Sequence, residues 1–156
     1  MTLLIKNFTK KKINQKYLNK VVEKTLEVAE FKKPAEISLV ITGDRRIKTI
    51  NRKYRGKNKI TDTLSFSALE NKLGGKNRKI KFVLPEEKAF LGEIFICYPQ
   101  AARQAKQRKH SVKKEIAILL IHSVLHLLGY NHTKKSEMVK MKQKEKAVYS
   151  LCLGKN

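Results

Sequence analysis

The sequence is poor in cysteine, in acidic side chains and in long apolar runs, and each scarcity narrows what the protein can be. Its two cysteines, Cys97 and Cys152, lie far apart and form no C-x-x-C, which argues against a disulfide framework. Both read as small buried hydrophobes. No apolar run approaches the roughly 20 residues that a membrane helix needs. The opening MTLLIKNFTKKK offers only Leu3, Leu4 and Ile5 before charge returns, so no signal-peptide core or cleavage site is visible. A cytoplasmic protein with no membrane partner is the expectation. Neither a repeat period nor a low-complexity linker appears. The 156 residues suit one domain spanning 1–156.

The shortage of acids has a chemical consequence. Thirteen acidic residues stand against 36 basic ones, a net charge of +23. Such a balance draws a protein to phosphate polymers through counterion release, so nucleic acid is the leading partner class. Because 29 of the 36 bases are lysines scattered along the chain, charge names a partner without locating a site.

Hydrophobic spacing then gives the elements. TLLIKNF (2–8) predicts a strand, and 13–31 carries apolar residues near helical spacing. EISLVIT (36–42) predicts a second strand, and Gly43 and Asp44 supply a turn and an N-cap for a helix over about 45–54. TLSFS (63–67) and LGEIFIC (91–97) predict two more strands, separated by a polar, basic segment expected to be an exposed loop. Helices are expected over AARQAKQRK, SVKKEIAILLIHSVLHLL and SEMVKMKQKEKAVYSLCL in the C-terminal half. The fold class is therefore α+β: a single domain with a small mixed sheet of about four strands and packed helices.

Three of the four histidines fall within HSVLHLLGYNH, residues 122–132. His122 and His126 are four apart on the expected helix, so their imidazoles emerge on one face, one turn from each other. Gly129 sits where a left-handed residue would stop that helix and turn the chain to bring His132 toward the same point. The spacing H-x-x-x-H-x-x-G-x-x-H matches the zinc-binding helix and turn of metzincin metalloproteases. All-nitrogen ligation suits one zinc ion best, with nickel, copper or iron as other occupants. A structural zinc would need a fourth protein ligand, for which Cys97, Cys152 and Glu137 are available, whereas three histidines alone leave a position for water or substrate. The protease chemistry is missing. Ser123 stands where those enzymes carry a glutamate base, and a serine cannot take a proton from water near neutral pH. Asn131, beside the third histidine, is a candidate for hydrogen-bonding a substrate or orienting a ligand.

A second segment, NRKYRGKNKITDTLSFS (51–67), packs Arg52, Lys53, Arg55, Lys57 and Lys59 around Tyr54 and Gly56. Arginine is scarce, at seven in the chain, and Arg55 precedes a glycine that lets backbone come close, so Arg55 is the better candidate for clamping a phosphate. Asp62 reads as an anchor for the following strand or an acceptor for a histidine N–H. Neither Glu93, in a strand, nor Glu115, two turns before His122, is assigned a role, and His110 is expected at the surface, outside the metal set.

HSVLHLLGYNH closely resembles the signature H-G-x-L-H-L-x-G-Y-D-H of the YbeY family of bacterial endoribonucleases and ribosomal RNA maturation factors. NRKYRGKNKITDTLSFS and LGEIFIC are similar to two further segments of that family, so the resemblance covers nearly the whole chain. It implies metal ligands at His122, His126 and His132, a functionally required arginine at Arg55, a zinc-like metal, and RNA cleavage linked to 3′-end maturation of small-subunit 16S ribosomal RNA and to ribosome quality control. The implied partners are ribosomal RNA and the small ribosomal subunit. Arg55 and His122 are then the candidate catalytic residues, and Arg55 and Asn131 the candidate substrate contacts. Three positions depart from the family pattern: Ser123 for glycine, Asn131 for aspartate and Ser67 for proline. The loss of a carboxylate at 131 bears on rate more than on fold. Two rival functions share the residues: an RNA-binding ribosome-assembly factor with a structural zinc, and a metzincin-like hydrolase.

Overall fold

The computed structural model describes residues 1–68, 88–131 and 133–154. The expected loop between the third and fourth strands lies almost wholly outside them, as does His132. Among the described residues, four strands and five helices follow in the order β1 (Thr2–Asn7), α1 (Gln15–Val28), β2 (Ala35–Thr42), α2 (Asp44–Arg55), β3 (Thr63–Ser67), β4 (Ala89–Cys97), α3 (Tyr98–Arg108), α4 (Val112–Leu127) and α5 (Lys135–Cys152). The strands form one mixed sheet in the order β1-β2-β4-β3. β1, β2 and β4 run parallel, and β3 is antiparallel to β4. This is the α+β single domain expected from the sequence.

Helix ends explain where the spacing misplaced boundaries. α1 starts at Gln15 because the Asn14 side chain accepts the Tyr17 amide, at 3.0 Å. It stops at Val28, short of 31, because Glu30 takes a left-handed φ of 59° and the Phe31 amide returns to the Leu26 carbonyl. The cap of α2 also differs from expectation. Gly43 occupies the N-cap with no side chain to offer, and Asp44 is the first helical residue. Its carboxylate is engaged elsewhere, by Arg103 Nη2 at 2.7 Å and Nη1 at 3.1 Å.

The main core lies between the sheet and helices α1, α4 and α5, where Val21, Ile37, Ile94, Leu120, Leu125 and Met141 are fully buried. α4 is apolar on nearly every side, with ten buried residues, so it can only be an interior helix. On the opposite face of the sheet α2 covers a smaller cluster of Ile47, Leu64 and Cys97. No helix among the described residues is long and apolar enough to cross a membrane.

Gly92 brings these parts together. Its φ of 142° suits glycine, and a Cβ there would stand 2.2 Å from the Phe66 carbonyl oxygen and 2.8 Å from Leu127 Cδ2. The missing side chain lets β3 and the end of α4 close on β4. Two hydroxyls then tie β3 directly to α4. Thr63 Oγ1 lies 2.9 Å from Ser123 Oγ, and Ser67 Oγ donates to the Leu127 carbonyl at 2.8 Å. Thr63 and Ser67 thus face α4, while Leu64 and Phe66 between them pack on the α2 side.

Candidate active site

A cleft of about 600 Å³ opens between the end of α2, the outer strand β3 and the second half of α4. Arg55, Lys57 and Lys59 line it from one side, and His122 and His126 from the other. Two segments from opposite halves of the chain therefore meet in one cavity. Among the described residues the acid on its lining is Asp62, against Arg55, Lys57 and Lys59, so these residues make the cleft electropositive.

On the α4 wall, His122 Nε2 and His126 Nε2 are 3.0 Å apart. Tetrahedral zinc with bonds of 2.0–2.1 Å places two ligand nitrogens about 3.3 Å apart. The two imidazole nitrogens are thus already spaced close to what a metal-binding pair needs. His122 is held from behind: its Nδ1 lies 2.9 Å from Glu145 Oε1, a carboxylate on α5 with a side chain only 15% exposed. This contact fixes the ring and directs Nε2 into the cleft. Tyr149 in turn donates its hydroxyl to Glu145 Oε2 at 3.3 Å. Burial, reinforced by Glu145, raises the Tyr149 phenol and preserves it as a donor.

Glu145 is the residue behind this wall that sequence reasoning missed. A signal was present, because Met141, Glu145 and Val148 share one face of α5 and both apolar members are fully buried. A carboxylate on that stripe needs a partner.

α4 ends as its glycine foretold. The Gly129 φ is 98°, and the Tyr130 amide returns to the Leu125 carbonyl at 3.1 Å. His132, three residues on, lies outside the described residues. Among the described residues no group of three or more histidine, cysteine or acidic side chains could hold a metal ion. Of the alternative fourth ligands, Cys97 sits on the α2 side of the sheet with its sulfur 3.3 Å from Asp44 Oδ1. Burial pushes its thiol up to about 11 and keeps it protonated at neutral pH. Cys152 borders a separate cavity beside Tyr17 and His110. Glu137 has one buried carboxylate oxygen with no hydrogen-bond partner, and it does not line the cleft.

On the facing wall Arg55 is the last residue of α2, and Gly56, at a left-handed φ of 68°, ends the helix behind it. The guanidinium donates from Nη2 to the Ser65 carbonyl at 2.8 Å and lies 4.9 Å above the Phe66 ring. One backbone acceptor and one aromatic face thus orient the fork, which has five N–H donors in all. Buried Asn51 gathers the basic loop by donating to the Lys59 carbonyl at 2.9 Å, which holds Lys57 and Lys59 at the rim. Asp62 is the strand anchor: its carboxylate accepts the Thr63 amide at 2.7 Å and its carbonyl accepts the Cys97 amide at 2.8 Å.

Three other residues are placed plainly. Ser123 is fully buried and engaged with Thr63, so it closes the cleft floor. Asn131 folds its own turn, accepting from the Thr133 amide and hydroxyl at 3.2 and 2.8 Å, and is not among the cleft-lining residues. His110 departs from the surface role expected of it. The left-handed residue Lys109 turns the chain so that the His110 ring is only 16% exposed, with Nε2 2.5 Å from Glu115 Oε2.

A family model described as endoribonuclease YbeY matches residues 4–152. The chain belongs to the endoribonuclease YbeY family. Among similar proteins, an endoribonuclease YbeY of Dehalococcoides mccartyi is 44% identical over 133 residues, 85% of this chain and 77% of that one. Another, from Caldicellulosiruptor bescii, is 38% identical over 152 residues, covering 95% of each chain. The solution structure of TM1509 from Thermotoga maritima superposes with a TM-score of 0.57 at 23% identity, over 96% of this chain and 91% of that one. That likeness shows a shared fold.

Proposed function

We propose that the protein is a metal-dependent endoribonuclease that cuts single-stranded RNA in this cleft, with ribosomal RNA of the small subunit as its substrate and the cytoplasm as its compartment. Membership in a family of RNA-cleaving hydrolases supports the reaction. One observation carries the site: an Nε2–Nε2 pair 3.0 Å apart on one wall of an electropositive cleft faces Arg55 on the other.

In this reading His122, His126 and His132 hold one zinc ion or a similar divalent transition metal. Bound there, the ion would supply Lewis acidity at a phosphoryl oxygen and a lowered water pKa. The chain's own residues do the rest. Glu145 holds the His122 ring so that Nε2 faces the cleft. Arg55, braced on Ser65 and Phe66, offers its remaining N–H donors to the scissile phosphate and stabilises the charge gained in the transition state. Lys57 and Lys59 draw the RNA backbone to the rim.

The test is cleavage of a ribosomal RNA fragment by wild-type protein, His126→Ala and Arg55→Ala, with metal content measured on each. His126→Ala is expected to lose metal and cleavage, and Arg55→Ala to keep metal and lose cleavage. Equal cutting by all three would reject the site. Chelation that unfolds the protein, in place of silencing a folded one, would assign the metal a structural role.

A further inference from the structure

Of the large apolar side chains among the described residues, Tyr54 is the most exposed, at 59%, and it adjoins the residue assigned to the phosphate. It is not a loose surface ring. Tyr54 packs edge-on against Phe66 with centroids 5.6 Å apart, and Phe66 packs edge-on against Phe95 at 5.9 Å. This three-ring ladder anchors Tyr54 to the sheet. Lys53 Nζ lies 5.2 Å from its centroid. Phe8 is also exposed, at 53%, and carries its cation closer, with the Arg46 guanidinium 3.9 Å over its ring.

Tyr54 and Arg55 share Phe66 as a common support. The ring is 5.6 Å and the guanidinium 4.9 Å from the Phe66 centroid, so the two groups lie within about 10.5 Å of each other. A nucleotide can bridge that interval from its phosphate to a neighbouring base. The surrounding segment carries Arg52, Lys53, Lys57 and Lys59, so a polyanion is the chemically matched occupant. An exposed aromatic among cations is how single-stranded nucleic acid is gripped without regard to sequence.

We propose that Tyr54 is a stacking platform for an unpaired nucleobase of the RNA strand whose phosphate occupies Arg55. The proposal rests on the ribonuclease reading and adds to it a base subsite and a reason for preferring single strands. A paired base keeps its faces stacked within the helix, so duplex RNA cannot use the platform. Every base has a π-face, so selection by base identity is weak.

The experiment compares wild type, Tyr54→Phe and Tyr54→Ala for binding and cleavage of a fluorescent single-stranded RNA oligomer, and of the same oligomer with abasic positions, with thermal unfolding checked on each. Tyr54→Ala is expected to weaken binding about tenfold or more, with the loss falling on KM before kcat. Tyr54→Phe should retain wild-type affinity. Removing bases should weaken the wild type and leave Tyr54→Ala little changed. Wild type that binds the oligomer no better than Tyr54→Ala overturns the platform alone. So does a Tyr54→Phe protein as weak as Tyr54→Ala, or indifference of the wild type to abasic positions. Wild type that neither binds nor cuts RNA overturns the ribonuclease reading and the platform with it.

Discussion

α4 touches two imidazole–carboxylate pairs, and they serve opposite ends. Near its start Glu115, fully buried, receives His110 at 2.5 Å, Arg108 at 2.7 Å and Gln104 at 3.0 Å. Near its end His122, 31% exposed, leans on Glu145 at 2.9 Å and turns its other nitrogen to His126. In the first pair the carboxylate is the centre, and three donors converge on it to join α3 to α4. In the second the imidazole is the centre, and the carboxylate serves to aim it. The same two functional groups make a fastener where the acid is sealed and an aimed imidazole where the histidine opens on a cleft.

The comparison breaks most sharply at the open end. His126→Ala removes one of two facing nitrogens while leaving the apolar faces of α4 in place. A Lewis acid contributes several kcal/mol to the transition state, so cleavage should fall on the order of a thousandfold, with far-UV circular dichroism unchanged. At the sealed end Glu115→Ala should do the reverse. It strips Gln104 and His110 of their acceptor, while Arg108, 55% exposed, can return to water. The expected loss is roughly 2–3 kcal/mol of stability, with metal content per folded molecule retained. For a chain of this size that corresponds to a melting point lower by about 5–10 °C. A Glu115→Ala protein that melts like wild type but carries no metal would invert the assignment.

What the sequence disclosed follows the same division. His122 and His126 were legible because helical periodicity alone puts them one turn apart. Arg55 was legible through its scarcity and its glycine, although only the fold could show the Ser65 carbonyl and Phe66 ring that aim it. Glu145 was not picked out, since its partnership joins residues 23 apart through the packing of α5 on α4. His110 was misjudged for a local reason: a left-handed Lys109 reversed a chain whose basic composition suggested solvent. The strand order was also beyond reach. β4 sits between β2 and β3 because β3 turns back antiparallel along its side, a choice made by register and by the gap at Gly92.

A subtler variant sharpens the open pair. Glu145→Ala leaves both histidine nitrogens in place but removes the acceptor behind His122. Changes of this kind usually weaken metal binding 10–100-fold, so a competitive zinc titration should show a drop in that range. Glu145→Gln keeps an acceptor oxygen and should recover part of the affinity. If Glu145→Ala binds zinc as tightly as wild type, the carboxylate is a fastener like Glu115 and the contrast between the pairs disappears.

The smallest expected effect belongs to an ion pair of a third kind, open to water at both ends. Arg103 holds the Asp44 carboxyl below the usual carboxylate range, with opposing desolvation and a lesser contribution from the Cys97 thiol. A carboxylate whose pKa is depressed by folding stabilises the protein above its unfolded value, near 3.9, and loses that contribution as pH falls through the folded value. The two side chains are 48% and 35% exposed, so solvent screening holds the gain to about 0.5 kcal/mol. Asp44→Asn should therefore lower the urea midpoint slightly at pH 7, and the gap from wild type should close as pH drops below 3.9 through the folded value. A gap that persists into strong acid would show that Asp44 acts through the shape of the α2 terminus and not through its charge. If the gap instead closes, the weakness of this pair beside Glu115, whose ion partner Arg108 is similarly exposed, traces to the burial of the acid, 35% exposed in one and fully buried in the other.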